Sequence, residues 1–236
     1  MLKKEMLQRS PIRVLEKSIN GKLGTGNLGV FTARKGVGKT ACLIHVATDK
    51  LLRDKKVLHI SFTGDPHHIE WWYKQVYQEV ATAYKLKNAI ENYDQMIHNR
   101  LILNFNQKDM DLNHVKKSIV QFKESAGFDP ELIMVDGFSF YNASENDFKT
   151  WKSIAEDLKV EMWFSATMHR ENMKFDLLGI PTPVNKYYDY LSVIIMLNPK
   201  KSYVDLTLLK DHESTELEKL RLKLDPKTLM ITNHRV

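Results

Sequence analysis

Between Leu28 and Ile44 the chain reads Leu-Gly-Val-Phe-Thr-Ala-Arg-Lys-Gly-Val-Gly-Lys-Thr-Ala-Cys-Leu-Ile. An apolar run suited to a strand enters a glycine-studded turn, and a helix-forming segment leaves it through Gly38-Lys39-Thr40. That order of residue types can bind phosphate. Gly36 and Gly38 let backbone N–H groups turn inward without a side-chain clash. The helix that follows adds the positive end of its dipole. Lys39 can reach the β- and γ-phosphates of a nucleotide, and the Thr40 hydroxyl is a hard oxygen ligand for Mg²⁺. Arg34, Lys35, Gly36, Val37, Gly38, Lys39, Thr40 and Ala41 are the expected nucleotide-binding residues. The segment matches the Walker A pattern except at its first glycine, where Ala33 stands; alanine is acceptable there if its φ stays negative.

A second segment supplies a partner carboxylate. Leu132-Ile133-Met134-Val135-Asp136 is an apolar strand that ends in an acid, the form of a Walker B element, 96 residues beyond Thr40. Asp136 is expected to hold Mg²⁺ together with Thr40. A nucleotide and Mg²⁺ are the expected ligands, and no residue selects adenine over guanine.

The elements that must position these residues alternate. Candidate strands are Leu28–Ala33, Val57–Phe62, Leu101–Phe105, Leu132–Asp136, Val160–Ser165 and Ser192–Leu197. Helix-like stretches lie between them at 39–53, 68–98, 111–126 and 146–158. Short apolar runs alternating with amphipathic helices predict an α/β fold with a mostly parallel sheet covered on both faces. After Leu197, Tyr203–Leu209, Leu220–Leu224 and Leu229–Thr232 read as an antiparallel hairpin extension at the sheet edge. In the helix after Pro66, Ile69, Tyr73, Val76, Val80 and Tyr84 share one face and are assigned to the core. Trp71 falls nearly opposite, where covering by a neighbouring loop is expected.

At this level the chain resembles the RecA-superfamily P-loop ATPases, in particular the KaiC and RadA branch, over nearly its whole length. Ser18 to Gly29 is similar to the glycine-studded lead-in of that family. Lys56-Val57-Leu58-His59-Ile60-Ser61 resembles its second strand, and Phe164 to His169 resembles the strand that ends in a γ-phosphate sensor, here His169. Leu208-Leu209-Lys210-Asp211-His212 is similar to the family's Lys-x-Arg turn. The resemblance implies a RecA-like fold, an assembly of like subunits and ATP turnover at shared sites, with Lys210 completing a neighbour's site. It also exposes departures. Thr63 and Gly64 stand where the family carries its catalytic glutamate, leaving Asp65 as the candidate for ordering water and Glu70 as a remoter one. His212 replaces the arginine.

Composition excludes several other classes. Hydrophobic residues make up 43% and charged ones 27%, values of a chain with a core, not of a disordered or coiled-coil one. The single cysteine, Cys42, rules out a disulfide framework and a cysteine zinc cluster; its place in the helix after the phosphate loop suits packing. The longest apolar run, about seven residues at Leu191–Leu197, is far short of the roughly 20 that span a bilayer. The start, MLKKEMLQRSP, lacks the apolar centre of a signal peptide, so a cytoplasmic address is expected. With no internal linker, 1–236 is expected to form a single domain, with 1–20 as its lead-in.

The net charge of +6 is uneven: residues 1–60 carry +9 and the remainder −3. Such a segment attracts phosphates, on a nucleotide or on nucleic acid. Three functions follow in order: a slow or assembly-dependent Mg-ATPase, a nucleotide-dependent switch without turnover, and a DNA-associated ATPase. His67-His68-x-Glu70 invites a metal, but adjacent helical histidines point about 100° apart, so a surface pair is expected. The stretch from Met173 to Lys186 reads as a long mobile loop.

Overall fold

The computed structural model describes residues 10–19, 22–63, 65–85, 88–106, 111–169, 174–214 and 218–233. Gly64, Arg170 to Met173 and most of the first ten residues therefore lie outside the described residues.

The chain runs α1 (Ile12–Ser18), β1 (Leu28–Arg34), α2 (Lys39–Leu51), β2 (Val57–Ser61), α3 (Pro66–Ala83), α4 (Ala89–Ile97), β3 (Arg100–Asn104), α5 (Leu112–Ala126), β4 (Leu132–Asp136), α6 (Glu145–Leu158) and β5 (Glu161–Met168). A 3-10 helix (Val184–Tyr190) then leads into β6 (Leu191–Pro199), β7 (Val204–Asp211), β8 (Glu218–Leu224) and β9 (Ile231–Asn233). Among the described residues these strands form one sheet in the order β3-β2-β4-β5-β1-β6-β7-β8-β9. The first six are parallel, and β7, β8 and β9 continue the sheet antiparallel. The expected fold class is the observed one.

Burial on both faces explains the continuous apolar strands. In β4, Leu132 and Met134 face a core shared with α1, α2, α3, α4 and the C-terminal strands. Ile133 and Val135 face a second core under α5, α6 and the 3-10 helix. An alternating strand would have put polar groups into one of these layers.

Caps set the helix starts that matter here. The Asp65 carboxylate accepts from the His67 N–H at 2.9 Å, opening α3. Ser144 and Asp147 form a reciprocal capping box at α6, an arrangement that satisfies two otherwise orphaned donors.

Four expectations are corrected. The helical stretch 68–98 is two helices, because Lys85 and Asn88 take left-handed conformations (φ 52° and 55°) that end one helix and start the next. Tyr93 of α4 thereby folds back onto Tyr77 of α3, ring centroids 5.2 Å apart. Strand β5 continues past Ser165 to Met168, since it pairs with β1 to that strand's end, Thr167 beside Ala33 and Met168 beside Arg34. The Lys-x-Arg-like segment is not a turn at Lys210: Lys210 and Asp211 belong to β7, and the left-handed residue is His212 (φ 52°). Trp71 is not covered; it is 50% exposed and meets Trp72 edge-on, centroids 5.3 Å apart. The face expected to be core is in the core, with Ile69, Tyr73, Val76 and Val80 buried and Tyr84 partly so. The end of the stretch read as a mobile loop is anchored by buried Ile180 and Val184.

Candidate functional site

The phosphate loop lies where parallel strands deliver their C-terminal ends, the edge at which open α/β sheets bind ligands. β1 stops at Arg34, the turn runs through Gly38, and α2 starts at Lys39. Gly36 and Gly38 have φ of 80° and 114°, which side-chain-bearing residues rarely adopt. A Cβ on Gly38 would also sit 2.3 Å from Leu224 Cδ2. Both glycines are therefore structural requirements of the loop. Ala33 is different. It is a strand residue paired with Thr167 and is not among the positive-φ residues, so the position needs no glycine.

Lys39 is 8% exposed, and its ammonium donates to the carbonyls of Ala33 (3.2 Å) and Arg34 (3.0 Å). Burial holds its pKa down to about 8, with the Asp136 charge opposing that shift. Thr40 Oγ1 donates to Asp136 Oδ2 at 3.0 Å. The fold thus joins two residues 96 positions apart, through the β1–α2 turn and the end of β4. The pair consists of hard oxygen donors, the donor chemistry Mg²⁺ prefers.

Asp136 is 4% exposed and held from several sides. Its backbone carbonyl accepts from the Phe62 N–H at 2.8 Å, tying β4 to the end of β2. The Ser165 hydroxyl donates to Asp136 Oδ1. Ser165 Oγ in turn accepts from the Gly137 N–H at 3.1 Å. On the β2 side, Ser61 Oγ and Thr63 Oγ1 are 2.8 Å apart. Thr63 thus spends its hydroxyl on the strand end, and Asp65 uses Oδ1 to cap α3.

A cleft of about 510 Å³ opens beside the loop, lined by Arg34, Lys35, Gly36, Val37, Thr167, Met168 and His169. The His169 N–H donates to Tyr141 Oη at 3.3 Å, and the two rings stand 4.6 Å apart edge to face. Five of the residues singled out in the sequence therefore share one cleft. Ala41 lies just inside α2 and is buried.

Lys210 does not join them. It pairs with Ile194, which pairs with Val30 near the start of β1, so it lies toward the edge opposite the phosphate loop. Its ammonium donates to Tyr188 O at 2.9 Å and sits 3.7 Å from the Tyr188 ring centroid. Burial lowers its pKa. His212 Nδ1 lies 2.7 Å from Asp211 Oδ1, and Nε2 lies 3.1 Å from Leu23 O. His67 faces Glu70 at 3.3 Å, and His68 accepts from Trp72 Nε1 at 3.0 Å. Sequence reasoning passed over Ser61, Ser165 and Tyr141. For the two serines the available signal was a small hydroxyl following a mainly apolar run, as in Val57-Leu58-His59-Ile60-Ser61 and Met162-Trp163-Phe164-Ser165; Tyr141 had none.

The strand order, the loop between β1 and α2 and the Thr40–Asp136 pair define a P-loop ATPase of the RecA-like kind. The sequence pattern of the AAA domain family matches residues 3–160, and the chain belongs to that family. Among solved structures, an ATPase domain superposes with a TM-score of 0.68 over 95% of this chain and 90% of that one. Identity is 15%, so this likeness is one of fold. No curated protein matches the chain. Among the described residues no helix is long and apolar enough to cross a membrane.

Proposed function

We propose that the chain binds Mg-ATP at the β1–α2 loop and hydrolyses it slowly, in an assembly of like subunits of the KaiC and RadA kind. The observation that carries this reading is the Thr40 Oγ1–Asp136 Oδ2 contact beside the buried Lys39 ammonium. In this reading the turn from Arg34 to Gly38 and the α2 N-terminus cradle the phosphates, with Ala41 extending the cradle. Lys39 exchanges its two carbonyl partners for phosphate oxygens. Thr40 and Asp136 hold Mg²⁺, which supplies charge neutralisation at the phosphates when bound. His169, on the cleft wall, serves as the γ-phosphate sensor. Asp65 orders the attacking water, and Lys210 acts on a neighbour's nucleotide.

A second reading, a nucleotide-dependent switch without turnover, is favoured by Thr63. Its hydroxyl is engaged with Ser61, and threonine cannot take a proton from water as a carboxylate does. Phosphate release from Mg-ATP across a range of protein concentrations, with Lys39→Ala as control, separates the two. Turnover that rises more than linearly with protein and vanishes in the variant supports the shared-site ATPase. Bound ATP with no release above the control supports the switch.

A further inference from the structure

Ser165 is 4% exposed on β5, between the strand that bears the phosphate loop and the strand that bears Asp136. Burying a hydroxyl without partners costs about 1–3 kcal/mol, and both of its hydrogen-bonding roles are used here. Its hydrogen goes to Asp136 Oδ1, and its oxygen takes the Gly137 N–H. The Asp136 carboxylate is therefore gripped on one oxygen by Ser165 and presents the other to Thr40. Without that grip the terminal torsion of an aspartate is broad, and the carboxylate plane could turn so that neither oxygen points at the Thr40 hydroxyl. The Gly137 bond extends the grip to the backbone just past β4.

We propose that Ser165 is a positioning residue for the divalent cation. By holding Oδ1 of Asp136 it keeps Oδ2 aimed at Thr40, and it thereby sets the affinity for Mg²⁺ while leaving the affinity for the nucleotide phosphates to Lys39 and the loop. This rests on the Mg-ATP reading above. Hydrogen-bond partners of metal-binding side chains typically contribute about 10–100-fold to metal affinity, so the effect is large enough to measure.

The test uses the full chain and a fluorescent ATP analogue, titrated in EDTA and then across Mg²⁺ concentrations. Ser165→Ala is expected to raise the half-saturating Mg²⁺ concentration by about tenfold or more and to leave binding in EDTA nearly unchanged. In an Asp136→Asn background the same substitution is expected to move nothing further, since the group it acts through is gone. Ser165→Cys keeps the size with only a weak S–H donor. It is expected to shift the Mg²⁺ requirement in the same direction, and it replaces the alanine variant if that one does not fold. An unmoved Mg²⁺ requirement overturns the proposal. So does a parallel loss of binding in EDTA, or an equal shift in the Asp136→Asn background. If the wild-type chain binds no ATP, or Lys39→Ala binds it equally well, the nucleotide reading itself fails and takes the proposal with it.

Discussion

Lys39 is a buried cation whose ammonium donates to two neutral carbonyls, Ala33 O and Arg34 O. Burial is the largest cause of its lowered pKa of about 8. A polyphosphate against the ammonium favours the charged form and raises that pKa. ATP binding above about pH 8 should therefore take up a proton, and binding at pH 7 should take up little. Calorimetric titration in buffers of different ionisation enthalpy reads this directly. Uptake at pH 9 that persists in a Lys39→Met variant would assign the proton to another group. Ser165 makes the complementary point at this scale. Its hydroxyl holds one oxygen of Asp136 while the other meets Thr40, and no spacing rule in the sequence announces that contact.

At the scale of elements, the C-terminal hairpin and the helix behind the phosphate loop act on each other. Leu224, the last residue of β8, presses against Gly38. On α2, His45 Nε2 lies 2.8 Å from Leu229 O in the β8–β9 turn. His45 is buried, and desolvation lowers its pKa to about 4. His59, buried on β2, is lowered to about 4 for the same first reason. Each is neutral in the fold and binds a proton more readily in the unfolded chain. Their contribution to stability is thus intact above the unfolded value of 6.5 and is lost as pH falls toward 4. Thermal melting should show a falling transition temperature from pH 7 to pH 4.5. His45→Gln, which does not titrate, should flatten part of that slope. An unchanged slope would show that His45 does not carry the acid sensitivity.

Across the whole molecule, the basic first quarter is less available than its charge suggests. Arg13 and Arg53 both engage buried Asp49, Lys50 pairs with Glu161 at 2.9 Å, and Lys55 pairs with Glu131 at 3.0 Å. Arg34 and Lys35 instead line the cleft. Part of that charge is thus tied up in ion pairs, and part faces the cleft at the phosphate loop. Lys210 lies toward the opposite edge of the sheet, so a catalytic part for it requires a second subunit. If it has that part, Lys39→Ala and Lys210→Ala chains, each without turnover alone, should regain phosphate release when mixed, because a mixed interface pairs an intact Lys39 with an intact Lys210. Mixtures that stay silent while the two chains co-assemble would remove Lys210 from the reaction.

The phosphate loop, the acid at the end of β4, the parallel strands and the antiparallel close were legible in the sequence. These features are local: Gly36 and Gly38 are demanded by backbone φ, and apolar runs such as Leu132 to Val135 by burial on both faces. Apart from Thr40 with Asp136, which two motifs announced, pairings across the chain were not legible. Ser165 on Asp136, Leu224 on Gly38 and His45 on Leu229 join segments 29, 186 and 184 residues apart. They depend on strand order and on how the sheet's antiparallel end packs over α2, neither of which any single segment encodes. For the same reason Lys210 could be read as a site residue from its neighbours in sequence, whereas its distance from the loop emerged only from the register of β6 between β1 and β7.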